Sequence, residues 1–257
     1  MKFTVLASGS KGNMTYIEFE NRKILIDAGI SLPNAKKRVS EGMLDEITDV
    51  FVTHEHGDHI KFLETVLKRT DAFLYINKET FYKIDKKVIE KFNKEKIMFI
   101  EADSHYKLDN DIDFYTLKLS HDSVFCMGYI FKCNNKTIGY ITDTGYFPVQ
   151  YLKVASLLDA IIIEANHNVE MLMNSERDIR LKERILSPQG HMSNYICFQV
   201  LKQIIKGKVK TIVLAHISEE CNSIDCINEE ILVPLKEIYQ GEVIVASQNE
   251  ATKVIEL

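Results

Sequence analysis

Six consecutive residues, His54-Glu55-His56-Gly57-Asp58-His59, restrict what this chain can become more than any other stretch. They follow residues 50–53, a short apolar run that reads as a buried strand ending where the polar residues begin. Eight histidines spread evenly over 257 residues would put about 0.2 in a window of six, yet this window holds three of them, with Asp58 among them. Imidazole and carboxylate suit Zn, Mn or Fe, and a loop leaving a strand can aim alternate residues at one cation and the next pair at another. The spacing therefore points to two metals. A solvated loop with Asp58 as a helix cap would explain the carboxylate alone. A metal site needs ligands from elsewhere, so the fold has to bring other strand ends to this loop.

Three later places offer them, each after an apolar run: Ser120-His121-Asp122, Thr142-Asp143-Thr144-Gly145 and Leu214-Ala215-His216. Residues 3–7, 15–19 and 23–27 are short β-rich segments separated by turn residues, an antiparallel meander whose first turn is Gly9-Ser10-Lys11-Gly12-Asn13. Helices are expected over 33–42, 58–68 and 79–92, with strands at 50–53, 72–76 and 97–100. The second half repeats this grammar, with strands at 114–119, 126–132 and 137–142, a helix at 148–158 and a strand at 160–164. Helix 194–205, strand 211–215, helix 226–239 and strand 243–245 complete it. Two sets of strands, each leading into helices, predict two sheets packed face to face with helices outside. No Pro-, Gly- or Ser-rich linker separates the halves, so residues 1–257 are expected to form one domain.

Five scattered cysteines without a Cys-x-x-Cys pair do not make a disulfide framework. No run approaches the roughly 18 apolar residues of a membrane span, and the opening MKFTVLASGS breaks too early for a secretion signal. A cytoplasmic protein with no membrane partner is expected. A net charge of −5 provides no long-range attraction for nucleic acid. Any such attraction is left to bound cations and to the Lys clusters around residues 78–96 and 202–210.

With these residues in order, the chain resembles the metallo-β-lactamase superfamily, whose HxHxDH signature and later His, Asp and His motifs match His54, His56, Asp58, His59, His121, Asp143 and His216. The resemblance spans essentially the whole chain. It implies an α/β fold, a four-layer αββα sandwich of two mixed sheets flanked by helices. It also implies two divalent cations per chain, Zn or Mn with Fe as a further option. One would be held by His54, His56 and His121, the other by Asp58, His59 and His216, with Asp143 bridging. Such a pair lowers the pKa of a bridging water and clamps the charge of an in-line displacement, so the resemblance implies a hydrolase with a bridging hydroxide as nucleophile.

The superfamily hosts several chemistries, and fold does not choose among them. Asp143 stands where many lactamases carry a Cys ligand, and His56 where the diiron reductases carry a carboxylate. Two stretches, residues 159–167 ending in Glu164-Ala165-Asn166-His167, and Gly190-His191-Met192-Ser193, resemble the tRNase Z group of phosphodiesterases. In that group the His donates a proton to the leaving oxygen and the Glu orients it, roles that carry over to His191 and Glu164; with Asp58 they make the implied catalytic set. A carboxylate raises an imidazole's pKa and fixes its tautomer, which suits general acid work. An exposed loop His191 ahead of an N-capping Ser193 is the plainer alternative.

The segments LASGSKGN, TDTGYFP and EANHN bring the resemblance to the YycJ/WalJ-like branch, described as metal-dependent DNA exonucleases. The implied partner is a nucleic acid, DNA ahead of RNA, with Ser10, Asn13, His167 and Ser193 as candidate substrate contacts. A plain hairpin turn at residues 9–13 and a surface role for His167 are the alternatives. A glyoxalase II-like thioester hydrolase shares HxHxDH and the Asp bridge and stays open, as does a metal-stabilised regulatory protein without catalysis.

Overall fold

Successive side chains of a strand face opposite sides, so a strand buried on both faces reads as a continuous apolar run. The computed structural model, which describes residues 1–257, gathers these runs into two sheets. The first holds β1 (Lys2–Ala7), β2 (Met14–Glu18), β3 (Lys23–Ile26), β4 (Asp49–Phe51), β5 (Phe73–Ile76) and β6 (Ile97–Phe99). The second holds β7 (His105–Asp109), β8 (Ile112–Leu119), β9 (Cys126–Cys133), β10 (Lys136–Ile141), β11 (Ala160–Glu164), β12 (Thr211–Ala215) and β13 (Glu242–Val245). The final strand, β14 (Ile255–Glu256), returns to pair with β1, giving seven strands in each sheet. Each sheet opens as an antiparallel meander and continues parallel from β3 or β10 onward. Parallel neighbours require crossovers, and helices such as Leu63–Thr70 and Asn194–Ile204 lie in them.

The period of two divides the core into layers. On β4, Phe51 faces the opposite sheet while Val50, and Val52 just past the strand, pack under the first set of helices, with Leu63, Val66 and Phe81. On β11, Ala160 and Ile162 face inward; Ile161 and Ile163 face outward against Cys197, Leu201 and Ile204. The result is the four-layer α/β sandwich expected from the sequence. No helix is long and apolar enough to cross a membrane.

Phe51 ties the sheets together. Its ring stacks on Tyr75 at 4.4 Å and meets Phe114, Tyr129 and Phe131 edge-on at 5.0, 5.3 and 5.0 Å, with no exposure to solvent. Phe51→Ala is expected to lower the unfolding free energy by about 3–5 kcal/mol. Urea denaturation checks this, and a loss below about 1 kcal/mol would mean that the aromatic cluster collapses around the gap.

Several helices are shorter than their patterns suggest. The expected helix 79–92 is two, Lys78–Lys83 and Lys86–Ile89, because Ile84 is extended and Asp85 caps a new start by accepting from Lys87 N. The segment 33–42 is helical only over Leu32–Lys36, with Leu32 and Ala35 as its buried residues. Helix 226–239 is Ile224–Ile227, a π turn at Asn228–Leu232, then Val233–Lys236. Pro234 has no N–H for the carbonyl of Glu230, which loosens the ladder at that turn. Strands β7 and β14 and the helices Val169–Asn174 and Ile179–Leu186 were not legible in the pattern.

Candidate metal centre

The residues singled out by chemistry lie at the C-terminal ends of strands that run in one direction. His54, His56, Asp58 and His59 follow β4, His121 follows β8, Asp143 follows β10, Glu164 ends β11 and His216 follows β12. Their donor atoms form overlapping groups, each within 4.8 Å: His54 with His56 and His121; Asp58 with His59 and His216; and His54 with His59 and Asp143. Asp143 lies between the first two groups. Its Oδ1 is 3.3 Å from His216 Nε2 and 4.0 Å from His121 Nε2, and its Oδ2 is 3.5 Å from His59 Nε2.

Backbone geometry helps to aim these groups. Asp27, Asp143 and His216 adopt left-handed conformations, with φ of 64°, 58° and 53°. Such a conformation is strained for a side chain with a Cβ and persists only where the surroundings hold it. At Asp27 the hold is visible: Oδ1 accepts from Thr53 N at 2.9 Å, and Oδ2 lies 2.7 Å from His59 Nδ1. Thr53 Oγ1 in turn meets His54 Nδ1 at 3.0 Å. Asp27 and Thr53 thus turn the outer nitrogens of two candidate ligands away from the centre, a task sequence reasoning missed. The available signal was an acidic residue closing an apolar strand that neighbours β4.

Other partners complete the frame. His121 Nδ1 lies 3.1 Å from Gly190 O. Glu164, fully buried, brings Oε1 within 2.9 Å of His216 Nδ1 and 2.8 Å of His191 Nδ1. Its Oε2 accepts from Thr144 N and Met192 N at 3.0 and 3.2 Å.

The four candidate substrate contacts fare differently. Asn13 is buried; its Nδ2 donates to Asp58 Oδ2 at 3.1 Å and to Gly9 O, and its Oδ1 accepts from Gly9 N at 2.9 Å. The opening turn is therefore folded onto Asp58, with the Lys11 amide spent on Gln248. Ser193 is the N-cap of helix Asn194–Ile204, accepting from Ile196 N. His167 is buried, beside Asn166 Oδ1, rather than lying on a surface loop. Ser10 is exposed and lines a small cavity together with His191.

Burial drives the His54 imidazole well below its ordinary range, helped by its histidine neighbours, and burial also lowers His121. Both are thus held in the neutral form that ligates cations. For His216 burial acts downward too, but Asp143, Asp58 and Glu164 outweigh it and push the imidazole up to about 10. Burial opposes ionisation of Glu164, yet His191 and His216 hold it below the usual carboxylate range.

A divalent cation fits this arrangement. Nε2 of His54, Oδ2 of Asp143 and Nε2 of His216 are buried in the centre without a hydrogen-bond partner. Unpartnered buried polar atoms are unfavourable unless something meets them, and here imidazoles and carboxylates converge, a set suited to a metal.

Residues 22–217 match the β-lactamase superfamily domain. The chain belongs to the metallo-β-lactamase superfamily. It is 35% identical to the exodeoxyribonuclease YycJ of Bacillus anthracis over 86% of this chain and 84% of that protein. It is 33% identical to the exodeoxyribonuclease WalJ of Streptococcus pneumoniae over 86% of this chain and 83% of that protein. The fold of this metallo-β-lactamase chain is also that of YhfI from Bacillus subtilis, with a TM-score of 0.72 at 16% identity, over 98% of this chain and 99% of the other.

Because Asp27 holds His59 from behind, Asp27→Asn is expected to weaken metal binding by roughly 10–100-fold, the usual effect of losing a ligand's outer partner. Asn tolerates the left-handed backbone, so the loop should keep its path. Titration against a competing chelator measures the change; an affinity within about twofold of the parent would remove Asp27 from the site's support.

Proposed function

We propose that this chain, a metal-dependent hydrolase, cleaves the phosphodiester bonds of DNA from an end with two divalent cations bound. His54, His56 and His121 would hold one and Asp58, His59 and His216 the other, with Asp143 shared; Zn or Mn suits these ligands. Both sheets contribute ligands, which supports residues 1–257 acting as one domain. When bound, the cations supply an acidified water and neutralise the charge of the phosphodiester.

The observation that carries the reading is the His191–Glu164 pair, a partly exposed imidazole held at 2.8 Å by a fully buried carboxylate beside the donor groups. Glu164 Oε1 accepts from Nδ1 and fixes the ring, which leaves Nε2 as the nitrogen that can hand over a proton. That proton passes from Nε2 to the leaving sugar oxygen as its bond to phosphorus breaks, and the leaving fragment departs as an alcohol. A thioester's leaving thiolate, whose thiol has a pKa of about 8.5, needs little such help. The pair therefore favours phosphodiester over thioester hydrolysis, and the two exodeoxyribonuclease relatives favour DNA.

The test is to purify the chain without chelator, load it with Zn or Mn, and incubate it with end-labelled single- and double-stranded DNA and RNA and with S-lactoylglutathione. Stepwise shortening of DNA is expected. Efficient thioester turnover with every polynucleotide intact would replace this reading with the glyoxalase-like one.

A further inference from the structure

His216 is held by more than the Glu164 carboxylate behind its ring. Its left-handed backbone, at φ 53°, persists only in fixed surroundings, and a separate side chain grips each end of the residue. His216 N donates to Ser8 Oγ at 2.7 Å, and His216 O accepts from Asn166 Nδ2 at 2.8 Å. Ser8 and Asn166 are only 4% and 6% exposed, so bulk water does not compete for either bond. The two grips come from different places. Ser8 follows β1 in the first sheet, whereas His216 follows β12 in the second, so the hydroxyl reaches across the sandwich. Asn166 lies just past β11; its N donates to Met192 O and its O accepts from Ser218 N, both at 2.9 Å. Its main chain is thus fixed between the loops that carry His191 and His216, which leaves the side-chain amide for the His216 carbonyl.

The opening segment reaches the other members of the same ligand set. Ser8 leads into the turn that ends at Asn13, whose Nδ2 lies 3.1 Å from both Asp58 Oδ2 and His59 Nε2. Residues 8–13 therefore touch Asp58, His59 and His216, the three ligands assigned above to one cation. The outer nitrogens of His54 and His121, assigned to the other, go instead to Thr53 Oγ1 and Gly190 O. We propose that Ser8 and Asn166 are positioning residues for the Asp58, His59 and His216 cation, and that the opening segment joins His216 of the second sheet to its two partners on the first. An imidazole whose peptide is fixed at both N and O is presented at one angle. Releasing either end lets the turn relax toward a right-handed backbone and carries the ring out of line with the other ligands. The inference rests on the two-cation reading.

Ser8→Ala, Asn166→Ala and the double variant would be loaded with Zn and each bound equivalent titrated against a competing chelator. The equivalent that His216→Ala weakens identifies this site. Each single substitution is expected to weaken that equivalent by roughly 10–100-fold, the usual effect of losing a ligand's outer partner, and to leave the other within about twofold. Added to His216→Ala, the same substitutions should shift neither equivalent by more than about twofold, because the residue they act through is gone. General loosening of the fold would instead weaken both equivalents together and by the same factor on the His216→Ala background. That pattern, or an unchanged equivalent at this site in both single variants, would overturn the assignment and leave the two-cation reading standing. A parent chain that binds only one cation would overturn both. Because the readout is binding, DNA left intact by a chain that shows the expected pattern would overturn the phosphodiesterase reading alone.

Discussion

His191→Ala is expected to slow cleavage of an ordinary DNA phosphodiester by roughly 10²–10⁴-fold, the range for losing a general acid. Its imidazole is the partly exposed member of the Glu164 pair, and its Nδ1 is directed to Glu164 Oε1 at 2.8 Å. Removing it should leave the bound cations in place. A p-nitrophenyl phosphodiester, whose leaving group needs little protonation, should be far less affected. Equal slowing of activated and normal substrates would make His191 a positioning group. A fall in metal content would make it a ligand, an arrangement its proximity to Asp143, Glu164 and His216 also permits. Measuring both rates and the metal content on one preparation separates these outcomes.

Asp143→Asn should impair metal occupancy and both substrates together. Asp143 is buried, lies within 4.0 Å of His59, His121, His191 and His216, and has one carboxylate oxygen without a hydrogen-bond partner. The substitution removes the negative charge that two cations would share. Asn is among the residues most tolerant of a left-handed backbone, so φ of 58° should survive. Metal affinity is expected to fall by more than the roughly 10–100-fold that loss of an outer partner costs. Two tightly bound equivalents in this variant, by elemental analysis, would show that Asp143 does not bridge.

The two substitutions differ in what the sequence could reveal of them. The cluster at residues 54–59 announces itself because one strand-end loop packs several donors into six positions, and a buried strand marks its own end where apolar residues stop. The same rule located His121, Asp143 and His216 at strand ends, Glu164 was picked out by the resemblance of its segment to the phosphodiesterase motif, and the repeated strand-then-helix order supplied the two-sheet architecture. Helix lengths were less legible. Nothing in the apolar spacing of residues 79–92 shows that Ile84 is extended, since its buried side chain fits the helical spacing as well.

The candidate ligands were therefore determined by local sequence, whereas the parts that aim them were decided by the tertiary structure. Asp27 faces His59 because β3 and β4 are parallel neighbours in a register that sets Ile26 against Phe51. Asn13 supports Asp58 because the opening turn folds onto the loop after β4, with Asn13 N donating to Asp58 O at 2.8 Å. Periodicity records which face of an element is buried, and a donor-rich loop records its chemistry; neither records which distant strand end becomes its neighbour, because that choice is made by long-range packing between segments that share no local pattern.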